Sequence, residues 1–275
     1  MATDSTVTEK LQKVLADEGL GSRREMERWI SEGRIQVDGE PAHLGQRVAD
    51  DNQILVDGKP LRRKPAGQGR ILLYNKQVGE VCTRKDPEGR RTVFEQLPDV
   101  GGGRWISIGR LDIATSGLLL LTTDGALANR MMHPSTGLDR EYAVRVNGIL
   151  TEAQRAELIR GIVDDGEELA FSDVRYFDGR GMNHWYHVVL LEGKNREIRR
   201  LFEHCGLMVS RLKRVRFGPV VLPSRLARGH VEELSEEDTG LLYRVLKLRR
   251  KSRGSTPRKK SRRSSVLIPY PKIDS

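Results

Sequence analysis

Asp112 stands in the run Gly109-Arg110-Leu111-Asp112-Ile113-Ala114-Thr115-Ser116-Gly117-Leu118-Leu119-Leu120-Leu121-Thr122, a polar turn between the apolar segment Trp105 to Ile108 and four consecutive leucines. A carboxylate in such a turn is expected to be partly desolvated, which raises its pKa unless a cation or hydrogen bonds favour the ionised form. On spacing alone, an Asp after a strand is a turn or capping residue, because its side chain bonds nearby backbone N–H groups. Two later segments offer it chemical company. Tyr142 lies in a strand pattern from Glu141 to Val146, where a tyrosine is by itself a core residue. In Glu192-Gly193-Lys194-Asn195-Arg196-Glu197-Ile198-Arg199-Arg200-Leu201, Asn195 can cap a helix whose apolar stripe is Ile198, Leu201, Phe202 and Cys205. Arg196, Arg199 and Arg200 then share much of the opposite face. Three guanidinium groups so placed bind phosphate or carboxylate, or serve only as exposed charge.

The stretch Gly109 to Thr122 resembles the catalytic motif of the RsuA/RluB branch of bacterial pseudouridine synthases, whose neighbouring branch carries His where Gly109 stands. The resemblance extends over residues 9–248 and implies roles. Asp112 would be the nucleophile that attacks the ribose or stabilises a cationic sugar, as carboxylates do in glycoside-cleaving enzymes. Tyr142, in a match to the family's Lys/Arg-x-Tyr motif, would stack on the detached uracil or take its C5 proton. Arg199 would form an ion pair with Asp112, holding it ionised. Arg110 matches the position that fills the stack vacated by the target base, which must leave its helix at a cost of a few kcal/mol. The chemistry requires no metal and no redox cofactor.

These residues need elements to hold them. Leu11, Val14 and Leu15 predict a short helix stopped by Gly19, and Ser22-Arg23-Arg24-Glu25 is a capping box opening a second helix with Met26, Trp29 and Ile30 inward. Ile35-Gln36-Val37 and Ile54-Leu55-Val56 each run into an Asp-Gly turn. This pattern resembles the S4 RNA-binding domain, which implies that Lys10, Lys13, Arg23, Arg24, Arg28 and Arg34 face RNA phosphates. The polar stretch Arg62 to Gly69 marks a domain boundary. Beyond it, Ile71 to Lys76 reads as a strand, Asp124 caps a helix ending near His133, and Thr151-x-x-Gln154 caps another running to about Gly161. Strand patterns follow at Ser172 to Phe177 and Trp185 to Leu191. In Ser210-Arg211-Leu212-Lys213-Arg214-Val215-Arg216, basic and apolar residues nearly alternate, so one sheet face brings cations such as Lys213 and Arg214 to an RNA backbone. The fold expected is α+β: a disordered N-terminus (1–8), an S4 domain (9–67), a mixed, largely antiparallel catalytic domain (68–248) and a disordered basic tail (249–275).

Composition narrows the partner. The formal charge of the 275 residues is +10, but residues 249–275 alone carry +9, so the body is nearly neutral and its polyanion sites must be patches. Gly101-Gly102-Gly103 lacks the Lys-Ser/Thr of a phosphate loop. His184 and His187, beside aromatics, read as structural. Two unrelated cysteines, Cys82 and Cys205, a polar N-terminus and the absence of any long apolar run point to a reduced, cytoplasmic, membrane-free protein. The family resemblance makes ribosomal RNA, 23S before the small-subunit RNA, the expected partner of a monomer. A non-catalytic S4-domain assembly factor and a nucleoside hydrolase are the rivals; the latter needs a second carboxylate to activate water, and none accompanies Asp112 in its motif.

Overall fold

Ser22 begins the N-terminal unit's second helix by a reciprocal cap: its Oγ accepts from the Glu25 N–H at 3.1 Å, and its own N–H donates to Glu25 Oε2 at 3.2 Å. The computed structural model describes residues 8–63, 69–100, 103–248 and 265–269. Within it, β1 (Glu9–Lys10) and α1 (Leu11–Asp17) lead to α2 (Arg23–Ser31), β2 (Ile35–Val37), β3 (Glu40–Pro41), β4 (Arg47–Val48), β5 (Ile54–Val56) and β6 (Lys59–Pro60). Leu11, Leu15, Met26 and Ile30 pack on Ile35, Val37 and Ile54, which closes a small core of two helices on the sheet β3-β2-β5-β6. Asp38-Gly39 and Asp57-Gly58 both have positive φ, which is the mirror-image turn a two-residue hairpin requires.

The second unit is built on one sheet. Its strands are β7 (Ile71–Lys76), β8 (Ile106–Ile108), β9 (Ser116–Thr122), β10 (Arg140–Asn147), β13 (Asp173–Arg180), β14 (Asn183–Leu190), β15 (Val209–Phe217), β16 (Val220–Val221) and β17 (Val231–Glu233). The small hairpin β11 (Ile162–Asp164) and β12 (Glu167–Leu169) stands apart. The order is β13-β14-β10-β15-β9-β7-β17, with β8 on β9 and β16 on β15; β9 with β15 is the one parallel pair of this sheet among the described residues. Helices α4 (Glu152–Arg160) and α5 (Glu197–His204) bury Leu158, Ile198, Leu201 and Phe202 with Tyr142, Val144 and Val188 on what we call the inner face. Helices α3 (Gly125–Met132) and α6 (Glu236–Val245) bury Leu127, Met131 and Leu242 against Ile71, Leu73, Leu118 and Leu120 on the outer face. Alternation along β7 and β9 thus feeds two cores, which is why their leucines and isoleucines run without a polar break.

Three expectations are corrected. Asn195 does not cap α5; the helix starts after Arg196, which adopts a left-handed φ of 51°, and no side chain caps it. The strand after Trp105 begins at Ile106. The tail is not wholly without structure: the Leu267 segment bridges β16, the Val221 N–H donates to the Val266 carbonyl at 2.9 Å, and Val266 is buried in the outer core. The expected disorder of 1–7, of 249–264 and of 270–275, and part of the 62–69 boundary, lie outside the described residues.

Val266 therefore has a measurable role. Val266→Ala should destabilise the chain by about 1–2 kcal/mol, the worth of the methyl groups it buries, and truncation after residue 264 should cost more by uncovering Val220 as well. Thermal denaturation of the two variants beside the full chain checks this; unchanged melting would show that the segment does not dock.

Candidate active site

The turn that carries Asp112 is held at every peptide. Lys76, buried at the end of β7, donates through Nζ to the carbonyls of Asp112 at 3.1 Å and Thr115 at 2.9 Å, and to that of Gln77 at 2.9 Å. The Gly79 N–H donates to the Ile113 carbonyl at 2.8 Å, and the Thr115 N–H to that of Asp112 at 3.0 Å. The Cys82 thiol donates to the Leu111 carbonyl at 3.4 Å. Arg199 Nη2 reaches the Ala114 carbonyl at 3.4 Å. The carbonyls of residues 111 to 115 thus all accept from outside the turn or across it. Lys76 and Cys82 were not singled out by the sequence reading. A signal was present for Lys76, since a lysine closing a buried strand must spend its charge on some fixed acceptor. Burial lowers its pKa, while Cys82, Glu80 and Asp112 act in the opposite direction.

At the end of the turn, Gly117 has φ +100°, and a Cβ there would lie 2.2 Å from the Arg214 carbonyl. Only glycine lets β9 approach β15 in parallel at this point. That close approach brings residues from two halves of the sheet into one cleft of about 490 Å³. Its walls include Arg110 and Asp112 from the turn, Tyr142 from β10, Arg196 and Arg199 around the start of α5, and Arg214 from β15. Tyr142 is buried and Asp112 is exposed.

Several candidate residues are placed differently from expectation. Asp112 is not desolvated in the open cleft, and no ion pair joins it to Arg199. Arg199 instead donates to the Val209 carbonyl at 2.8 Å and to Ala114, gripping the turn two residues beyond the acid. Arg200 faces away from the cleft, because one residue advances a helix by about 100°; it pairs with Asp164 and Glu167 of the β11-β12 hairpin. Arg214 is not on the outward side of β15. It is buried, its Nε donates to the Leu118 carbonyl at 2.7 Å, and its Nη2 has no hydrogen-bond partner among the described residues. Arg140 stands beside it; their guanidinium carbons lie 4.8 and 5.1 Å from the Phe217 ring centroid. Arg140 donates to the carbonyls of Leu138 and Leu191 at 3.0 and 2.6 Å, and burial lowers its pKa, with Arg214 adding to that effect. One wall of the cleft is therefore a pair of cations without a carboxylate partner among the described residues. Two further acids line the cleft: Glu192, which pairs with Lys194 at 3.0 Å, and Glu197, which is buried and accepts from the Lys194 N–H at 3.0 Å; desolvation raises the pKa of Glu197.

On the small unit, Lys10, Arg23 and Arg24 are exposed and make no ion pair among the described residues. Lys13 pairs with Glu9, Arg28 with Glu32 at 3.5 Å, and Arg34 clamps Asp57 through two bonds of 2.8 and 2.6 Å while lying 3.8 Å above Trp29. Arg34 braces its hairpin rather than standing free.

Comparison with known proteins agrees with this architecture. Residues 70–204 match the RNA pseudouridylate synthase family and residues 9–54 the S4 domain. The chain is 56% identical over 239 residues to a protein of Pseudomonas aeruginosa named ribosomal large subunit pseudouridine synthase B, covering 86% of this chain but 62% of that one. It is 52% identical over 246 residues to the protein of that name from Vibrio cholerae serotype O1, covering 88% of this chain and 77% of that one. A solved pseudouridylate synthase superposes with a TM-score of 0.59 at 25% identity, covering 85% of this chain and 99% of its own. With its S4 domain ahead of a catalytic sheet that sets an aspartate turn against an arginine-lined cleft, the chain belongs to the RNA pseudouridylate synthase family.

Proposed function

We propose that this chain isomerises uridine to pseudouridine in large-subunit ribosomal RNA. The observation that carries the reading is the convergence of Asp112, Tyr142 and Arg199 on one cleft from three separate elements. The Asp112 carboxylate attacks C1′ of the target ribose, or stabilises it as a cation, and the N1–C1′ bond breaks with its electron pair leaving on uracil. The base turns against Tyr142, its C5 bonds to C1′ and displaces the Asp112 carboxylate where that is bonded there, the C5 proton leaves and N1 gains one, so the atoms balance with no co-reactant. Arg199 acts by fixing the turn. The unpaired Arg140 and Arg214 suit the phosphates flanking the flipped nucleotide, and Arg110 at the exposed rim suits the stack it vacates. Lys10, Arg23 and Arg24 supply sequence-independent attraction, with Arg196 and Lys213 available to the backbone. Glu197 is committed to the loop before its helix and Glu192 to Lys194, so neither further acid of the cleft is free to activate water as a hydrolase would need. The protein acts as a cytoplasmic monomer on ribosomal RNA, free or in assembly intermediates; no described helix is long and apolar enough to cross a membrane.

Incubating the purified chain with unmodified large-subunit ribosomal RNA and assaying pseudouridine chemically tests the reading. Conversion of a specific uridine is expected. Binding without conversion would favour an assembly factor, and release of free uracil would favour a hydrolase.

The cation wall gives a sharper expectation. Arg214→Met removes a buried charge that has no carboxylate partner among the described residues but also the donor to the Leu118 carbonyl, so the two effects oppose and stability should fall by no more than about 1–3 kcal/mol. The single-turnover rate should nevertheless fall about 10–100-fold, the worth of a charged hydrogen bond. Thermal melts beside single-turnover assays would show the split; a rate that falls only where the variant has melted would mark Arg214 as structural only.

A further inference from the structure

Among the described residues, half of the large sheet has an uncovered face. Strands β13, β14, β10 and β15 are antiparallel neighbours whose inner face lies under α4 and α5. On the outer face the registers set Arg145 between Trp185 and Arg211, and Ala143 between His187 and Lys213. These side chains are exposed or half-buried, whereas the alternating Val144, Tyr186 and Leu212 are buried. The outer core under α3 and α6 includes no residue of β10, β13 or β14.

An open antiparallel face ordinarily carries polar side chains. This one carries rings. Phe177, at the bulge between Tyr176 and Asp178, is 71% exposed, and its ring centroid lies 5.2 Å from that of His187. Trp185 is two residues from His187 on the same strand, so the two side chains leave the sheet about 7 Å apart on one face. Arg145, Arg211 and Lys213 border them. Of the nearby acids, Glu141 Oε1 lies 2.6 Å from His187 Nδ1 and its other oxygen accepts from Arg216 at 2.9 Å, Asp173 pairs with Arg175 at 2.7 Å, and Asp178, opposite Trp185, accepts from the Gly179 N–H at 2.7 Å, so one acid stands against Arg145, Arg211 and Lys213. Water-exposed rings bordered by cations combine base stacking with phosphate neutralisation, the two interactions by which sheets hold single-stranded nucleic acid.

We propose that this outer face is a second RNA-binding surface. It takes a single-stranded segment, with Trp185 and Phe177 stacking on bases and Arg145, Arg211 and Lys213 meeting phosphates. It lies across the sheet from the Asp112 cleft, so it contributes affinity and placement without touching the reacting nucleotide. The surplus of cations favours RNA over a protein partner.

The probe is a fluorescent single-stranded oligoadenylate, which contains no uridine, so the result is independent of the isomerase reading. With the full chain, Trp185→Ala with Phe177→Ala should lower affinity about tenfold or more. Arg145→Glu with Arg211→Glu should reduce the slope of log affinity against log salt by about one to two. Single-turnover conversion of a minimal stem-loop at saturating RNA should be unchanged in both. Ultraviolet crosslinks of the unaltered chain to oligoadenylate should map to the peptides holding Phe177 and Trp185. The proposal fails if folded variants keep unaltered affinity and salt slope, or if crosslinks map only to the S4 helices and the cleft. It fails equally if the variants abolish self-association in sedimentation while RNA binding persists, which would make the face an interface between copies.

Discussion

Asp112→Asn should abolish pseudouridine formation, by about 10⁴-fold or more in a single-turnover assay, while the melting temperature and RNA affinity stay close to those of the unaltered chain. The substitution keeps size and removes only the nucleophilic oxygen. Because Asp112 is exposed and the turn is held through backbone carbonyls, the amide has no buried partner to offend. A variant that unfolds or loses RNA would mean that the carboxylate is structural. A variant that converts uridine at the ordinary rate would remove the mechanism altogether.

Lys76→Met should have the next largest effect, and through a different route. The ammonium holds three carbonyls, those of Gln77, Asp112 and Thr115. Methionine fills a similar volume and leaves the Gln77 and Thr115 carbonyls without this donor, at about 1–3 kcal/mol for each that water cannot reach, while the Asp112 carbonyl keeps only the Thr115 N–H. Stability should therefore fall by several kcal/mol in a denaturant titration. The rate should fall about 100-fold at saturating RNA in conditions where the variant remains folded, because a displacement of the order of 1 Å at a reacting group costs that much. Lys76→Arg, which keeps the charge but not the compact head group, should recover stability before rate. Equal recovery of both would mean that charge alone, not the position of the turn, is what Lys76 supplies.

The legible parts of this chain were those written in local patterns. The Ser22 and Thr151 capping boxes, the two Asp-Gly hairpins and the α5 stripe follow from spacing, and the structure builds each of them. Misreadings occurred where an outcome depends on a neighbour distant in sequence. Whether Arg214 or its neighbours face outward is set by the bulges that shift the register of β15 on β10, which no alternation along β15 reveals. Arg200 and Arg199 are adjacent and alike, yet a hairpin at residues 162 to 169 claims one and the Asp112 turn claims the other. Burial of Lys76 signals a need for fixed acceptors, but which ones was not legible for the same reason: the Asp112 and Thr115 carbonyls lie some forty positions along the chain. The docked Val266 segment was masked by the basic composition around it, although three apolar residues in a row there were the available sign.

The junction of β9 with β15 has a kinetic meaning. On one side of it the strands β7, β8 and β9 pair antiparallel with one another, and on the other so do β10, β13, β14 and β15. Each group can form from contacts within its own stretch of chain. Their parallel union joins Ser116 to Lys213 and Gly117 to Arg214 across nearly a hundred residues, the kind of pairing whose loop closure makes it slow. Asp112 belongs to the first group, and Tyr142, Arg199 and Arg214 to the second. Competence for chemistry thus waits on a long-range closure, and a nascent molecule can carry most of its secondary structure while holding no assembled cleft in which to trap a nucleotide.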